Sequence, residues 1–206
     1  MQYSQNLKLN DFFSKLEKEN YTIVKLSDNF PNYFNGDDLD IFCENIDSFS
    51  QKILTIGNKY IKKNNCEVRI RQKNDTHYHI DFIFDKKLDL RFDLYNKLPS
   101  YKNLKLKNNL FGTILKNKTK KQQDNYFIYV PSSNEEMILR YVEFLEWFDK
   151  RPDKIKHLNF ILDNTSNPIT KEKFLIELHN YIKPSSKKTE PILPIIFQKI
   201  KKIFKL

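Results

Sequence analysis

The chain has 206 residues, is 39% hydrophobic and 14% aromatic, and carries a formal net charge of +10. That length suits one domain with a sizeable core or a small domain with a helical extension, and the aromatic, Ile and Leu content excludes disorder throughout. Two cysteines without metal-ligand spacing (Cys43, Cys66), an N-terminal stretch with no apolar signal core and no bilayer-length apolar run predict a reduced, cytoplasmic protein.

In chain order, Phe12, Phe13 and Leu16 predict a short helix over 10–20 that packs on a sheet. Residues 21–27 read as a first strand. Gly36-Asp37-Asp38-Leu39-Asp40-Ile41-Phe42 reads as a second, in which alternation sends Leu39 and Ile41 to a core and sets Asp38 and Asp40 on one face. Like charges held that close need compensation, and a divalent cation supplies it. Carboxylate oxygens suit Mg²⁺, which completes its shell with water and substrate phosphates. Residues 48–64 place Phe49, Ile53, Ile56, Tyr60 and Ile61 at helical spacing, and 66–73 alternate as a strand. His77–Phe84 and 88–95 then alternate around Asp85-Lys86-Lys87, a hairpin signal. Burying Tyr78, Ile80, Phe82 and Phe84 together with Leu88, Leu90, Phe92 and Leu94 pairs Phe84 with Leu88, Asp81 with Arg91 and His79 with Asp93. The polar face of the hairpin is then available to meet Asp38 and Asp40. Only Gly36, Gly57 and Gly112 occur, so no Gly-rich phosphate loop is predicted.

An Asp-x-Asp strand followed by a later strand with a third Asp between apolar residues resembles the nucleotidyltransferase fold of the DNA polymerase beta type. Members of that family carry Gly-Ser or Gly-Gly at the end of a strand, a short gap, the Asp-x-Asp, and later a third carboxylate. Here the gap from Asp28 to Asp37 is ten residues. The resemblance covers 20–96 and implies an α+β fold, a mixed-sheet nucleotidyltransferase-like core followed by a C-terminal helical region. Residue by residue, Asp38 and Asp40 match the metal-binding pair, Asp93 the third carboxylate with Asp81 as its rival, and Ser27 the small polar position. Leu26 stands where the family has its glycine, which lets a triphosphate approach the backbone. Lys25 and Arg91 are candidates for phosphate contacts, although a strand-edge charge or salt bridge explains each better, and His79 is placed to hydrogen-bond Asp93.

The resemblance implies a Mg²⁺-dependent enzyme that transfers a nucleoside monophosphate from a nucleoside triphosphate to a hydroxyl or phosphate acceptor. The implied acceptor class is a sugar or polyol phosphate used in surface polysaccharide assembly, with Mg²⁺ held by Asp38, Asp40 and Asp93 or Asp81. The alternative is a catalytically degenerate module of the same fold that binds nucleic acid or an anionic membrane, which Leu26 favours and the carboxylate pair opposes. A metal-dependent nuclease would want a lysine soon after the acidic pair, and none stands there convincingly.

The organisation reads as a nucleotidyltransferase-like domain over 1–100, a basic connecting segment over 101–130, a helical region over 131–183 and a basic amphipathic tail over 184–206. Residues 97–134 hold eight lysines against Asp124, and 182–206 hold seven against Glu190, so the part bearing the carboxylates is mildly acidic. Basic segments beside such a site suit a polyanionic substrate. Ser132 and Ser133 stand three residues before Glu135 and Glu136, a capping-box signal for a helix through Met137, Leu139, Tyr141, Val142, Leu145 and Phe148 that Arg151-Pro152 ends. Further helices are predicted over 153–162 and 170–182. Arg151-Pro-Asp-Lys-Ile-Lys-His157 resembles a segment that follows nucleotidyltransferase-like domains in bacterial surface-polysaccharide proteins, with His157 expected to be structural. Over 191–206, Leu193, Ile196, Phe197, Ile200, Ile203 and Phe204 fall on one side of a helix, and Lys199, Lys201, Lys202 and Lys205 mostly on the other. Such a helix can lie in an anionic interface, dock on a partner or dock on its own domain; the dense lysine cluster favours the first, which predicts peripheral contact with the inner face of a membrane.

Overall fold

The structure is a computed structural model that describes residues 2–63, 65–102, 104–107 and 109–184. The protein is α+β, with a five-stranded mixed sheet, two two-stranded sheets and six α-helices among the described residues. The described residues divide into two compact units: those up to Pro99 together with 109–139, and those of 100–108 together with 140–184.

The first unit contains α1 (Leu9–Leu16), β1 (Tyr21–Ile23), β2 (Asp37–Cys43), α2 (Ile46–Lys63), β3 (Glu67–Asn74), β4 (His77–Phe84) and β5 (Lys87–Tyr95). Its sheet runs β1-β2-β5-β4-β3, with β2 parallel to β5 and every other pair antiparallel. Alternation sorts the strands into two faces. Leu39, Ile41, Ile80, Phe82, Leu90, Phe92 and Leu94 form the apolar one, in a single buried cluster with Phe12, Phe13 and Leu16 of α1 and Phe49, Ile53 and Tyr60 of α2. Phe12 meets Phe82 edge-on at 5.6 Å and lies 5.1 Å from Phe92. Each such ring, fully buried, contributes roughly 1.5–3 kcal/mol. Gly57 lets α2 come close to this layer, since a Cβ there would stand 2.6 Å from Cζ of Phe82. Ile61 is 41% exposed rather than buried, because Tyr60 takes the core-facing position and the next residue is turned about 100° round the helix.

Three local expectations change. The first strand ends at Ile23 rather than at residue 27: Val24 N still donates to Asp40 O, and then Ser27 turns the chain by accepting at Oγ from Asn29 N and at its carbonyl from Phe30 N. The hairpin turn is the two-residue Asp85-Lys86, both at positive φ (49° and 62°), the twist that suits a tight hairpin. Consequently Phe84 pairs with Lys87 and Ile83 with Leu88, not Phe84 with Leu88. The register then shifts between Phe82 and Ile83, where β5 carries an extra residue, Asp89, in a bulge. Beyond it Asp81 faces Arg91 and His79 faces Asp93, as the alternation requires.

Residues 101–130 hold regular structure. They form β6 (Leu104–Leu106), α3 (Asn109–Asn117), β7 (Thr119–Gln123) and β8 (Tyr126–Val130). Leu110 and Ile114 of α3 and Tyr126 and Ile128 of β8 are buried, and α3 and the β7–β8 hairpin belong to the first unit. In the second unit β6 pairs antiparallel with β9 (Ile182–Pro184).

The helices of the C-terminal half are α4 (Ser133–Trp147), α5 (Ile155–Asn164), preceded by a 3₁₀ turn over Pro152–Lys154, and α6 (Pro168–Tyr181). Helix α6 starts two residues earlier than expected because Asn167 caps it, accepting from Ile169 N at 2.9 Å, with Pro168 at the first position. Glu135, half of the expected capping box, is buried and accepts from Asn117 Nδ2 at 3.0 Å. His157 is buried in α5, its Nε2 3.0 Å from Oε2 of Glu143. Both cysteines are buried and unbridged, and burial pushes their thiols up, Cys43 to about 12 and Cys66 to about 11. Among the described residues no helix is long and apolar enough to cross a membrane. The amphipathic segment expected over 191–206 lies outside the described residues.

Candidate metal centre

The alternation that builds the apolar layer fills the opposite face of the sheet with charge. Strand β2 brings Asp38 and Asp40, β5 brings Arg91 and Asp93, β4 brings His77, His79 and Asp81, and β3 brings Arg71. Register sets these side chains in rows: Asp38 beside Arg91 and Asp40 beside Asp93 across the parallel pair, then Arg91 beside Asp81, Asp93 beside His79, and His79 beside Arg71.

Asp81 is 3% exposed and accepts from Arg91 Nε at 2.6 Å and Nη2 at 3.2 Å, and it is also ion-paired with Arg71. Burial works against its charged form, but the Arg91 guanidinium, helped by Arg71, outweighs it and holds the carboxyl below its usual range. Asp81 is thus engaged by two guanidiniums and belongs to neither of the two side-chain groups among the described residues that could hold a metal ion. Arg91 takes the salt-bridge role expected of it, and its own pKa is raised chiefly by the hydrogen bond to Asp81.

Asp38, Asp40 and Asp93 come together, each offering an oxygen within 4.8 Å of the others. Asp38 is exposed, Asp40 half-buried and Asp93 buried. Lys25 Nζ stands 3.3 Å from Asp40 Oδ2, a partner for one of the crowded charges. Ser27 shapes the turn after β1, and the Leu26 side chain packs against the buried cluster. Just before Asp38, Asp37 accepts from Phe34 N at 2.8 Å, and Gly36, at φ 89°, donates to Asp89 O at 2.8 Å.

A second group shares Asp93. His77 Nε2 lies 2.5 Å and His79 Nε2 3.3 Å from Asp93 Oδ1, and the two imidazole nitrogens are 3.1 Å apart. Tyr95 donates its hydroxyl to Asp93 Oδ2 at 3.2 Å, and its ring stacks on His77 at 4.2 Å and 14°. Burial pushes the His79 imidazole below its ordinary value; Asp93 pulls the other way and Arg91 adds to the lowering. Nδ1 of His79 is buried without a hydrogen-bond partner among the described residues. Either group could hold a divalent cation: the first offers oxygen alone, the second two imidazole nitrogens and one oxygen.

Two residues escaped the sequence reading. His77 had a signal, the His-x-His spacing that sets two imidazoles on one strand face opposite Asp93. Asp89 had none, because simple alternation gives it to the face of Arg91. The bulge instead buries it, 1% exposed, where it accepts from Ser4 Oγ at 2.6 Å, Asn6 Nδ2 at 2.8 Å and Tyr33 OH at 2.7 Å.

No protein-family model and no curated protein matches this chain. A solved structure described as the crystal structure of JHP933 from Helicobacter pylori aligns over 82% of this chain and 76% of that one, at 8% identity and a TM-score of 0.37. A likeness of that size carries no argument about fold family or function.

Proposed function

We propose that the protein is a Mg²⁺-dependent nucleotidyltransferase with a nucleotidyltransferase-like core, moving a nucleoside monophosphate from a nucleoside triphosphate to a hydroxyl or phosphate acceptor. The acceptor class proposed is a sugar or polyol phosphate of surface glycan assembly. The observation that carries the reading is the convergence of Asp38, Asp40 and Asp93 on neighbouring parallel strands, an all-oxygen donor set suited to Mg²⁺. Bound there, Mg²⁺ supplies Lewis-acid polarisation of the phosphoryl oxygens and lowers the pKa of an acceptor hydroxyl. The chain's own residues do the positioning. Tyr95 and His77 fix Asp93, Lys25 orients Asp40 and adds a positive charge beside it, and exposed Asp38 is open to an incoming polyphosphate.

One observation favours a second reading, a degenerate module that binds nucleic acid or an anionic membrane. Leu26 packs against the buried cluster, and the nucleotidyltransferases that this sequence resembles have a glycine at the matching position, which lets a triphosphate approach the backbone. Melting curves with each of the four nucleoside triphosphates, with and without Mg²⁺, separate the two. A ligand at 100 times its Kd adds about 2.7 kcal/mol, a rise of roughly 5–10 °C for a chain of this size. The expected result is such a rise with at least one nucleotide, only with Mg²⁺, and lost in Asp40→Asn. No shift with any nucleotide refutes the transferase.

A further inference from the structure

We propose that His77 Nε2, His79 Nε2 and Asp93 Oδ1 form a binding site for a transition-metal ion of the Zn²⁺ class, distinct in chemistry from the all-oxygen set and sharing only Asp93 with it. The inference stands on the geometry of these three atoms and does not depend on nucleotidyl transfer.

The three atoms are corners of one triangle, with sides of 2.5, 3.3 and 3.1 Å. Its centre lies about 1.7 Å from each corner, so a point just outside its plane satisfies the roughly 2.0–2.1 Å bonds that Zn²⁺ makes to imidazole nitrogen and carboxylate oxygen. Two histidines and one carboxylate are the ligands of a zinc site that keeps its fourth position for water or substrate. Such nitrogen donors select borderline metals, whereas Mg²⁺ prefers oxygen alone.

The strands also hold the ligands in place. His77 and His79 are two apart on β4 and so share a face, and the register of β4 against β5 puts Asp93 directly opposite His79. Tyr95 braces both remaining parts, stacking on the His77 ring and donating to the Asp93 oxygen that the metal would leave unused. Metal on Nε2 requires the proton of each ring on Nδ1, and Nδ1 of His79 has no acceptor among the described residues. A missing outer-shell partner weakens a metal site by about 10–100-fold. The site is therefore expected to be weaker by that factor than one with both rings braced.

Co²⁺, whose visible absorption reports tetrahedral nitrogen and oxygen ligation, is the probe, titrated into the full-length chain and competed with Zn²⁺ and with Mg²⁺. One Co²⁺ per chain is expected, displaced by equimolar Zn²⁺ but not by a large excess of Mg²⁺. His77→Gln and His79→Gln should each weaken binding at least tenfold, while Asp38→Asn and Asp40→Asn, which keep all three ligands and remove only a neighbouring charge, weaken it less. His77 is partly exposed, so its variant keeps the fold if the more buried His79→Gln does not, and far-UV circular dichroism checks both. Wild-type affinity in the histidine variants, loss of binding in Asp38→Asn, or ready displacement by Mg²⁺ overturns the site. The last two results would assign the metal to the all-oxygen set, leaving the transferase reading standing.

Discussion

Replacing Gly57 by Ala tests the contact between α2 and the sheet. In an unconstrained helix interior Gly→Ala is stabilising by about 1 kcal/mol, because alanine has less backbone entropy to lose. At position 57 the added methyl would lie 2.6 Å from Cζ and 2.7 Å from Cε1 of Phe82, closer than carbon atoms approach. Phe82 cannot swing aside easily: it is fully buried, with Phe12 at 5.6 Å and Phe92 at 5.8 Å. Overpacking of this kind costs about 1–3 kcal/mol, so the net change is a destabilisation of roughly 0–2 kcal/mol. Gly112 in α3 belongs to the same unit and is the internal control, since a Cβ there meets nothing within 4 Å. Urea unfolding of both variants should give a lowered midpoint for Gly57→Ala and a raised one for Gly112→Ala. A gain in both would refute the close approach of α2 to Phe82.

Asp81→Asn should destabilise the fold by about 1–3 kcal/mol at neutral pH, since it removes charge-assisted hydrogen bonds from Arg91 and Arg71. The folded pKa of Asp81 is lowered, so its contribution is complete above the unfolded value of about 4 and is lost as pH falls through the folded one. Melting temperatures of wild type and variant should therefore converge below about pH 4, and curves that stay parallel would contradict the pairing. Asp38→Asn and Asp40→Asn should each stay within about 1 kcal/mol of wild-type stability, the loss of the Lys25–Asp40 pair being offset by relief of repulsion. On the proposed transferase reading, both should lose at least two to three orders of magnitude of turnover in a nucleotidyl-transfer assay, the several kcal/mol that metal-assisted charge stabilisation would supply. Full turnover in either would remove the carboxylate site from the mechanism.

Local pattern made much of this protein legible. The alternation in 77–84 and 88–95 assigns each side chain to a face and places Asp81 against Arg91 and His79 against Asp93, because a one-residue slip would expose a whole apolar row. The apolar spacing of α1 and α2 likewise marks their buried faces, apart from Ile61. Asp38-Leu-Asp40 announces its own crowding for the same reason, since neighbours two apart on a strand must share a side. Other features are energetically non-local, and no window of sequence contains them. The parallel pairing of β2 with β5 brings Asp40 beside Asp93, residues far apart in the chain, and depends on the whole sheet closing over α1 and α2. The bulge at Asp89 settles a competition between a two-residue turn and the apolar register, and so turns a residue expected with Arg91 into a buried acceptor for Ser4, Asn6 and Tyr33. Which carboxylate joins a group able to hold a metal ion and which meets an arginine was decided at the same level. Asp81 and Asp93 sit in similar apolar frames, but Asp81 faces Arg71 and Arg91 whereas Asp93 faces Asp40 and two histidines, because packing of three strands, rather than local propensity, chooses each side chain's neighbours.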